Sequence, residues 1–346
     1  MGDRVSLDVV ICTYNNASSL DRVLEALAGQ RATDALDWRV LVVENNCSDQ
    51  TMDVLRAHLR AGIVPLRVVH EPEQGLTPAR VRGVAETSAD WIAFVDDDCL
   101  LAPDWIAQLA EVIDDHPLAG GIGGEVSLDW EFEPASFVRS RDWAYARQAG
   151  AQAETRASLA GAGMVIRRRA LEETGWTKQP YLADRVGSRL VSGGDVEIAL
   201  RLGAAHELWF DPRLRLRHVI PAHRTTFRYL SRLVYGLGVS NLFGDSLVWA
   251  GSYRRWLVRS LQRTGPMVEE VTAAVRRWQM SDALLSAAFL AGWLHGIARL
   301  LRDSSRTRAA LLGCAARQDP AQVSGCSGPA RSGVAMTTQG PGQPPG

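Results

Sequence analysis

The first hundred residues alternate short, almost uninterrupted apolar runs with segments in which apolar residues recur every three or four positions. The runs are Leu7 to Cys12, Trp38 to Val43, Leu66 to His70 and Trp91 to Val95. Each has strand length and is rich in Val and Ile, the pattern of strands covered on both faces. Between them, Ala17 to Ala28, Asp49 to Arg60 and Thr77 to Thr87 read as helices. In the first, Leu20, Val23, Leu24 and Leu27 share a face, and Ser18 or Ser19 can cap its start. The order β-α-β-α-β-α-β predicts an α/β fold with an open, mostly parallel sheet and helices on both faces.

Further along, Pro103 to Pro117 predicts a helix, and the Gly-rich stretch Ala119 to Val126 leads into a strand. Asp129 to Thr155 has no readable period. Gly161 to Ile166 reads as a strand, Ala170 to Thr174 as a short helix stopped by Gly175, and Asp195 to Leu202 as another helix. Leu208 to Phe210 and Leu214 to Val219 are strand-like. From about Thr225 to Ala310 the pattern is helical, and from Arg317 the chain is rich in Gly, Pro, Ser and Gln, which predicts disorder. Three regions follow: an α/β domain over 1–222, a helical region over 223–316 and a disordered tail over 317–346.

Composition narrows the picture modestly. A net charge of -1 over 346 residues gives no reason to expect a nucleic-acid partner. The five cysteines, Cys12, Cys47, Cys99, Cys314 and Cys326, are odd in number and scattered, which fits a reducing cytoplasm better than a disulfide framework. Leu7 to Cys12 reads as a strand and lacks the length and cleavage site of a signal peptide. Between Gly251 and Ala310 stand ten Arg against four acids. Ala283 to Ala298 within that stretch is uncharged but short for a membrane span, so it reads as a buried or interfacial helix. Flanking Arg299, Arg302, Arg306 and Arg308 would suit peripheral contact with an anionic membrane on its cytoplasmic face; a core helix with a solvated basic face is the other reading.

Open α/β sheets bind ligands at the carboxyl ends of their strands. Thr13-Tyr14-Asn15-Asn16, Glu44-Asn45-Asn46-Cys47-Ser48-Asp49, Glu71-Pro72-Glu73-Gln74-Gly75 and Asp96-Asp97-Asp98 all fall there. Three successive carboxylates raise one another's pKa unless a cation sits among them. A divalent metal resolves that cost, and Mg2+ or Mn2+ takes one or two carboxylates while a substrate diphosphate completes its shell.

The series Val10 to Asn15, Val42 to Asp49, Gly75-Leu76-Thr77-Pro78-Ala79-Arg80 and Phe94 to Asp98, in that order and strand context, resembles the family 2 glycosyltransferases of GT-A fold over about residues 5 to 220. The resemblance implies an enzyme moving a sugar, with inversion and with Mn2+ or Mg2+, from a UDP-, GDP- or dTDP-sugar to a glycan, lipid-linked or small-molecule acceptor. It assigns Thr13, Asn15 and Glu44 to the nucleoside, Glu44 standing where the family more often has Asp. Arg80 falls to the nucleotide side, Asp96 and Asp97 to ribose and metal, and Asp98 to the metal, although the triplet offers alternative registers. The segment Gly193-Gly194-Asp195-Val196-Glu197 is similar to the family's acidic helix start and puts Asp195 on the general-base position, with Gly194 replacing a family acid and Glu197 as the fallback on the acceptor side. His218 is implied as a further metal ligand, with His223 as second candidate, and Trp176 as an aromatic platform near the acceptor sugar. Plainer roles stand beside these: a helix cap for Asp195, core packing for Trp176 and a structural histidine at 218.

Other classes fit less well. A nucleotidyltransferase or an oxidoreductase would show a Gly-rich phosphate loop after the first strand, and Thr13-Tyr14-Asn15-Asn16 is not one. A non-catalytic nucleotide-sugar binder or scaffold of the same fold would retain the donor residues and lose turnover through Gly194.

Overall fold

The computed structural model describes residues 4–31, 36–182, 184–186, 193–247 and 252–302. The tail expected to be disordered, with Cys314 and Cys326, lies outside the described residues. The first half follows the expected alternation: β1 (Val5–Thr13), α1 (Ala17–Ala28), β2 (Leu36–Glu44), α2 (Thr51–Ala61), β3 (Leu66–His70), α3 (Leu76–Ala85) and β4 (Trp91–Phe94). β3, β2, β1 and β4 lie side by side and run parallel. Successive β1 residues serve opposite faces. Leu7, Val9 and Ile11 pack with Leu20, Val23, Leu24 and Leu27 of α1, and Val10 packs with Ala79 and Val84 of α3.

α1 is capped differently from the expectation. Neither Ser18 nor Ser19 caps it; the Asp49 carboxylate accepts from the Ala17 N–H at 3.1 Å and from Thr51 N–H at 3.0 Å, so one side chain serves the starts of α1 and α2.

The second half comprises β5 (Cys99–Leu101), α4 (Trp105–Asp115), β6 (Gly121–Trp130), α5 (Ser136–Arg139), β7 (Glu154–Thr155), β8 (Met164–Arg167), α6 (Arg168–Thr174), α7 (Gly194–Gly203) and β9 (Leu208–Ile220). It extends the sheet in the order β4-β8-β6-β9-β5, with β7 beside β9. The β4–β8, β8–β6, β9–β5 and β7–β9 ladders are antiparallel, so the sheet is mixed beyond its first four strands. The two apolar runs after residue 207 form one strand that carries Pro212 through. β9 bulges between Asp211 and Arg215, opposite the Gly124–Glu125 step of β6, where a side chain at Gly124 would stand 1.8 Å from the Leu214 carbonyl oxygen. β5 had no period of its own, since three residues are too few to show one.

Four helices close the described chain: α8 (Phe227–Leu247), α9 (Tyr253–Gln262), α10 (Thr264–Arg276) and α11 (Met280–Arg302). Leu230, Leu233 and Val234 of α8 and Leu285 of α11 share a core with Val138, Tyr145 and Ile220, so the helical region is packed onto the sheet domain.

Candidate active site

The carboxyl edge of the sheet is built by turns that bond to one another. Asn15 adopts a left-handed conformation (φ 50°), and its Oδ1 accepts from the Ser48 N–H at 2.7 Å, joining the turn after β1 to the turn after β2. Asn45 donates from Nδ2 to the Glu71 and Glu73 carbonyls and accepts at Oδ1 from the Gly75 N–H at 2.8 Å, which fixes the start of α3. Glu44 is buried, and its carboxylate turns inward to the Cys47 N–H and to His70 Nδ1 at 2.6 Å. Burial works against its charge, yet these bonds outweigh it and hold the carboxyl below its usual range. Glu44 thus shapes the loop expected to face a nucleoside.

The acidic triplet divides into three environments. Asp96 is the most open and lies 3.6 Å from Arg80 Nη2. Asp97 accepts from the Thr13 hydroxyl at 2.7 Å and from Asn16 Nδ2 at 2.8 Å. Burial and the neighbouring Asp98 charge push its carboxyl up to about 7. Asp98 is buried against His218 Nε2 at 3.3 Å and the Arg224 guanidinium, Nη1 at 2.5 Å. Burial works against its charge as well, but His218 and Arg224 hold this carboxyl well below the carboxylate range. The meeting of Asp98 with His218 follows from sheet register, because β5 pairs with β9 so that Cys99 lies opposite His218.

Facing the triplet is a second acid. Arg80 is buried and pairs through Nη1 with Asp184 Oδ2 at 3.0 Å. Burial opposes the Arg80 charge, but Asp184, Asp96 and Asp195 together outweigh it. Asp184 is itself buried and is pushed up to about 6 by burial, although Arg80 pulls the other way. It occupies the space beside Gly194, where an added side-chain carbon would come within 3.0 Å of the Asp184 Cβ. Arg185, next in the chain, is a third arginine here. Burial opposes its charge too, and Tyr229, Asp98, Asp184 and Asp96 stabilise it.

Asp195 opens α7 and is half-buried; its oxygens accept from the Val196 N–H at 2.9 Å and the Gly161 N–H at 3.2 Å. The cap position of α7 belongs to Gly193 and no side chain caps the helix, so the expected cap role for Asp195 is not found, and each of its oxygens keeps a lone pair for another donor.

Two expectations are corrected by burial. Glu197 is 0 % exposed and accepts from the Tyr181 and Leu182 N–H groups at 2.9 and 2.6 Å while pairing with Arg201 at 2.6 Å, so it anchors a chain segment and cannot meet an acceptor. Trp176 is also 0 % exposed, within the core of Ile166, Leu171, Ile198 and Phe210, and has no ring face for a sugar. His223 is exposed and stands edge-on to Tyr229, outside the Asp98 cluster. Asp184, Arg185 and Arg224 belong to the site without any signal in the sequence. Asp184 and Arg185 sit in a stretch with no period, and nothing local to Arg224 distinguishes it from a solvated arginine.

A metal fits part of this cluster. His218 Nδ1 bonds to the Tyr145 carbonyl at 2.8 Å, which leaves Nε2 aimed at Asp98, and Cys99 Sγ lies in the same group. Burial and the three neighbouring aspartates hold the Cys99 thiol well above its usual range, so Asp98 and His218 are the donors suited to a hard cation.

A match to the model of glycosyl transferase family 2 covers residues 8–175, spanning β1 to the end of α6. Residues 8–175 are a family 2 glycosyltransferase domain. The family 2 domain makes the chain an enzyme of the glycosyltransferase class, and its sheet has the GT-A arrangement. The chain is similar to the glucosyl-dolichyl phosphate glucuronosyltransferase of Haloferax volcanii, 24% identical over 314 residues, 85% of this chain and 96% of the relative. It is also similar to the validoxylamine A glucosyltransferase of Streptomyces hygroscopicus, 37% identical over 106 residues, covering 30% of this chain and only 24% of the relative. A crystal structure of GalNAc-T7 with UDP, GalNAc and Mn2+ shares the fold at a TM-score of 0.50 and 15% identity, over 71% of this chain and 51% of that one. The matched region ends before α7, so Asp195, His218 and Arg224 lie in the chain that follows it.

Proposed function

We propose that the protein transfers a sugar, with inversion, from a nucleotide-diphosphate donor to an acceptor hydroxyl, assisted by Mn2+ or Mg2+. The observation that carries this reading is the Asp98–His218 pair at the carboxyl edge of a family 2 domain, beside three arginines that converge on the same acids. Arg80, Arg185 and Arg224 now hold carboxylates, and guanidinium groups suit diphosphate oxygens equally well. Asp98 and His218 would hold the cation, which would supply countercharge for the departing diphosphate. Thr13, Asn15 and Glu44 line the turns that receive the nucleoside, and Asp96 is the open member of the triplet available to ribose.

Asp195 is the general base. As the acceptor oxygen forms its bond to the anomeric carbon, the bond from that carbon to the diphosphate oxygen breaks, the nucleoside diphosphate leaves, and the acceptor proton passes to Asp195. Two relatives favour a lipid-linked acceptor over a free glycan: the glucosyl-dolichyl phosphate glucuronosyltransferase of Haloferax volcanii and the dolichol-phosphate mannosyltransferase of Pyrococcus furiosus.

The test is release of nucleoside diphosphate from a panel of UDP-, GDP- and dTDP-sugars, with Mn2+ or with chelator, using polyprenyl-phosphate glycans as acceptors. Metal-dependent turnover of one donor class supports the reading. Donor binding without turnover on lipid-linked, glycan and small-molecule acceptors would instead identify a binder of the same fold.

A further inference from the structure

α11 is long and apolar enough to cross a bilayer, yet only 39% of its most apolar stretch is buried within the protein. Its inner side cannot leave the molecule cheaply. A side chain at Gly238 of α8 would strike the Phe289 carbonyl, and one at Gly292 would strike that of Tyr235, so the two helices touch backbone to backbone. α8 in turn is packed into the sheet domain through Leu230, Leu233 and Val234. The outer side of α11 carries Leu284, Leu294 and Leu301, each 45% exposed or more, with exposed Ala291 and Ala298 between them. These positions fall three, four or seven residues apart and form one stripe, about 26 Å long at the helical rise. Just before the helix, Trp278 is 87% exposed and Met280 51% exposed.

Charge says what covers the stripe. Arg276 and Arg277 stand at one end and Arg299 and Arg302 at the other, with no charged residue from Ala283 to Ala298. From Ser252 to Arg302 there are eight Arg against Glu269, Glu270 and Asp282. Two of these acids are already paired with Arg141, Glu270 at 3.2 Å and Asp282 at 3.7 Å. A second copy laid antiparallel on the stripe would bring these arginine ends against each other. An anionic lipid surface would receive them, with the stripe among the upper acyl chains and the arginines at the headgroups.

We infer that α11, with Trp278 and the arginines at its two ends, is an in-plane docking face for an anionic membrane, and that the protein lies on the bilayer without spanning it. α8 links this face to the reaction centre, because its Gly244 lies against Val196 and Leu200 of α7, the helix that carries Asp195 in its first turn.

The test is flotation of the full chain with phosphatidylcholine vesicles and with vesicles containing phosphatidylglycerol. Binding is expected to the anionic vesicles, to weaken as salt rises, and to fall at least tenfold in Leu284→Glu/Leu294→Glu and in Arg276→Glu/Arg277→Glu. Quenching of tryptophan fluorescence by bromine-labelled lipid chains in the unaltered protein gives a second reading that needs no variant. Absence of binding to anionic vesicles overturns the inference. So does binding unchanged in both variants, or a concentration-dependent dimer that Leu294→Glu dissociates while vesicles bind nothing. The assay needs neither donor nor turnover, so its failure and failure of the transferase reading are separable.

Discussion

Arg80 Nη1 and Asp184 Oδ2 lie 3.0 Å apart inside the protein although 104 residues separate them in the chain. The pair ties the middle of α3 to the segment before α7, and Arg80 reaches from it to Asp96 on the other side. Removing one partner of a buried ion pair leaves the other charge uncompensated. Asp184→Ala is expected to lower unfolding stability by about 3–5 kcal/mol in urea titration. Asp184→Asn, which retains a hydrogen-bond acceptor, should lose less. A wild-type midpoint for Asp184→Ala would show that the pair does not hold the fold.

The Asp98–His218 pair leads to a prediction about metal. Asp98→Ala should abolish metal-stimulated turnover, and His218→Ala should weaken Mn2+ binding by more than about tenfold, the scale on which even outer partners of a metal site act. Electron paramagnetic resonance of free Mn2+ reads this directly. Equal Mn2+ affinity in both variants and the wild type would place the cation elsewhere.

Asp195 and the two buried residues near it should separate cleanly in kinetics and stability. Asp195→Asn is expected to lower kcat by about 100- to 10,000-fold with little change in donor KM, as loss of a general base does. Trp176→Ala should cost about 3–5 kcal/mol of stability, since the ring is wholly buried, without a selective rise in acceptor KM. Glu197→Ala should likewise destabilise by about 3–5 kcal/mol, because Arg201 and two backbone N–H groups lose their partner. A purely kinetic defect in either of the last two would contradict their placement.

Asp49 gives a pH dependence with a definite sign. Burial works against its charge, but the Thr51 hydroxyl and N–H and the Ala17 N–H together outweigh it and lower its pKa from 3.8. A carboxyl depressed on folding contributes stability that is complete above its unfolded value and is lost as pH falls through the folded one. Asp49→Asn should therefore melt below the wild type at pH 7, and the gap should narrow as pH falls below the ordinary aspartate value of 3.8. A constant gap across that range in thermal melts would refute the assignment.

Much of the first half is legible in the local pattern of the chain. β1 to β4 are continuous apolar runs and α1 carries a clear stripe, so their types follow from periodicity, and the carboxyl-edge rule then locates Thr13, Asn15 and the triplet, while Arg80 is singled out only by the family resemblance. The buried aspect of Glu197 and Trp176 is not legible, because an acid at a helix start and an aromatic after Gly175 read the same whether the surrounding chain covers them or not. Only packing distinguishes a carboxylate that holds the Tyr181–Leu182 backbone from one that awaits a substrate.

By itself the sequence determined the parallel half of the sheet and the chemical character of its edge, since both arise from residues close together in the chain. The tertiary structure decided the partners. β5 is three residues long and has no signal of its own, yet its pairing with β9 sets His218 against Asp98, and Arg224 reaches the same carboxylate from the turn after β9. Asp184 meets Arg80 through an irregular segment held in place by Glu197. These contacts join residues roughly a hundred positions apart, and such pairings are fixed by register and burial rather than by local pattern.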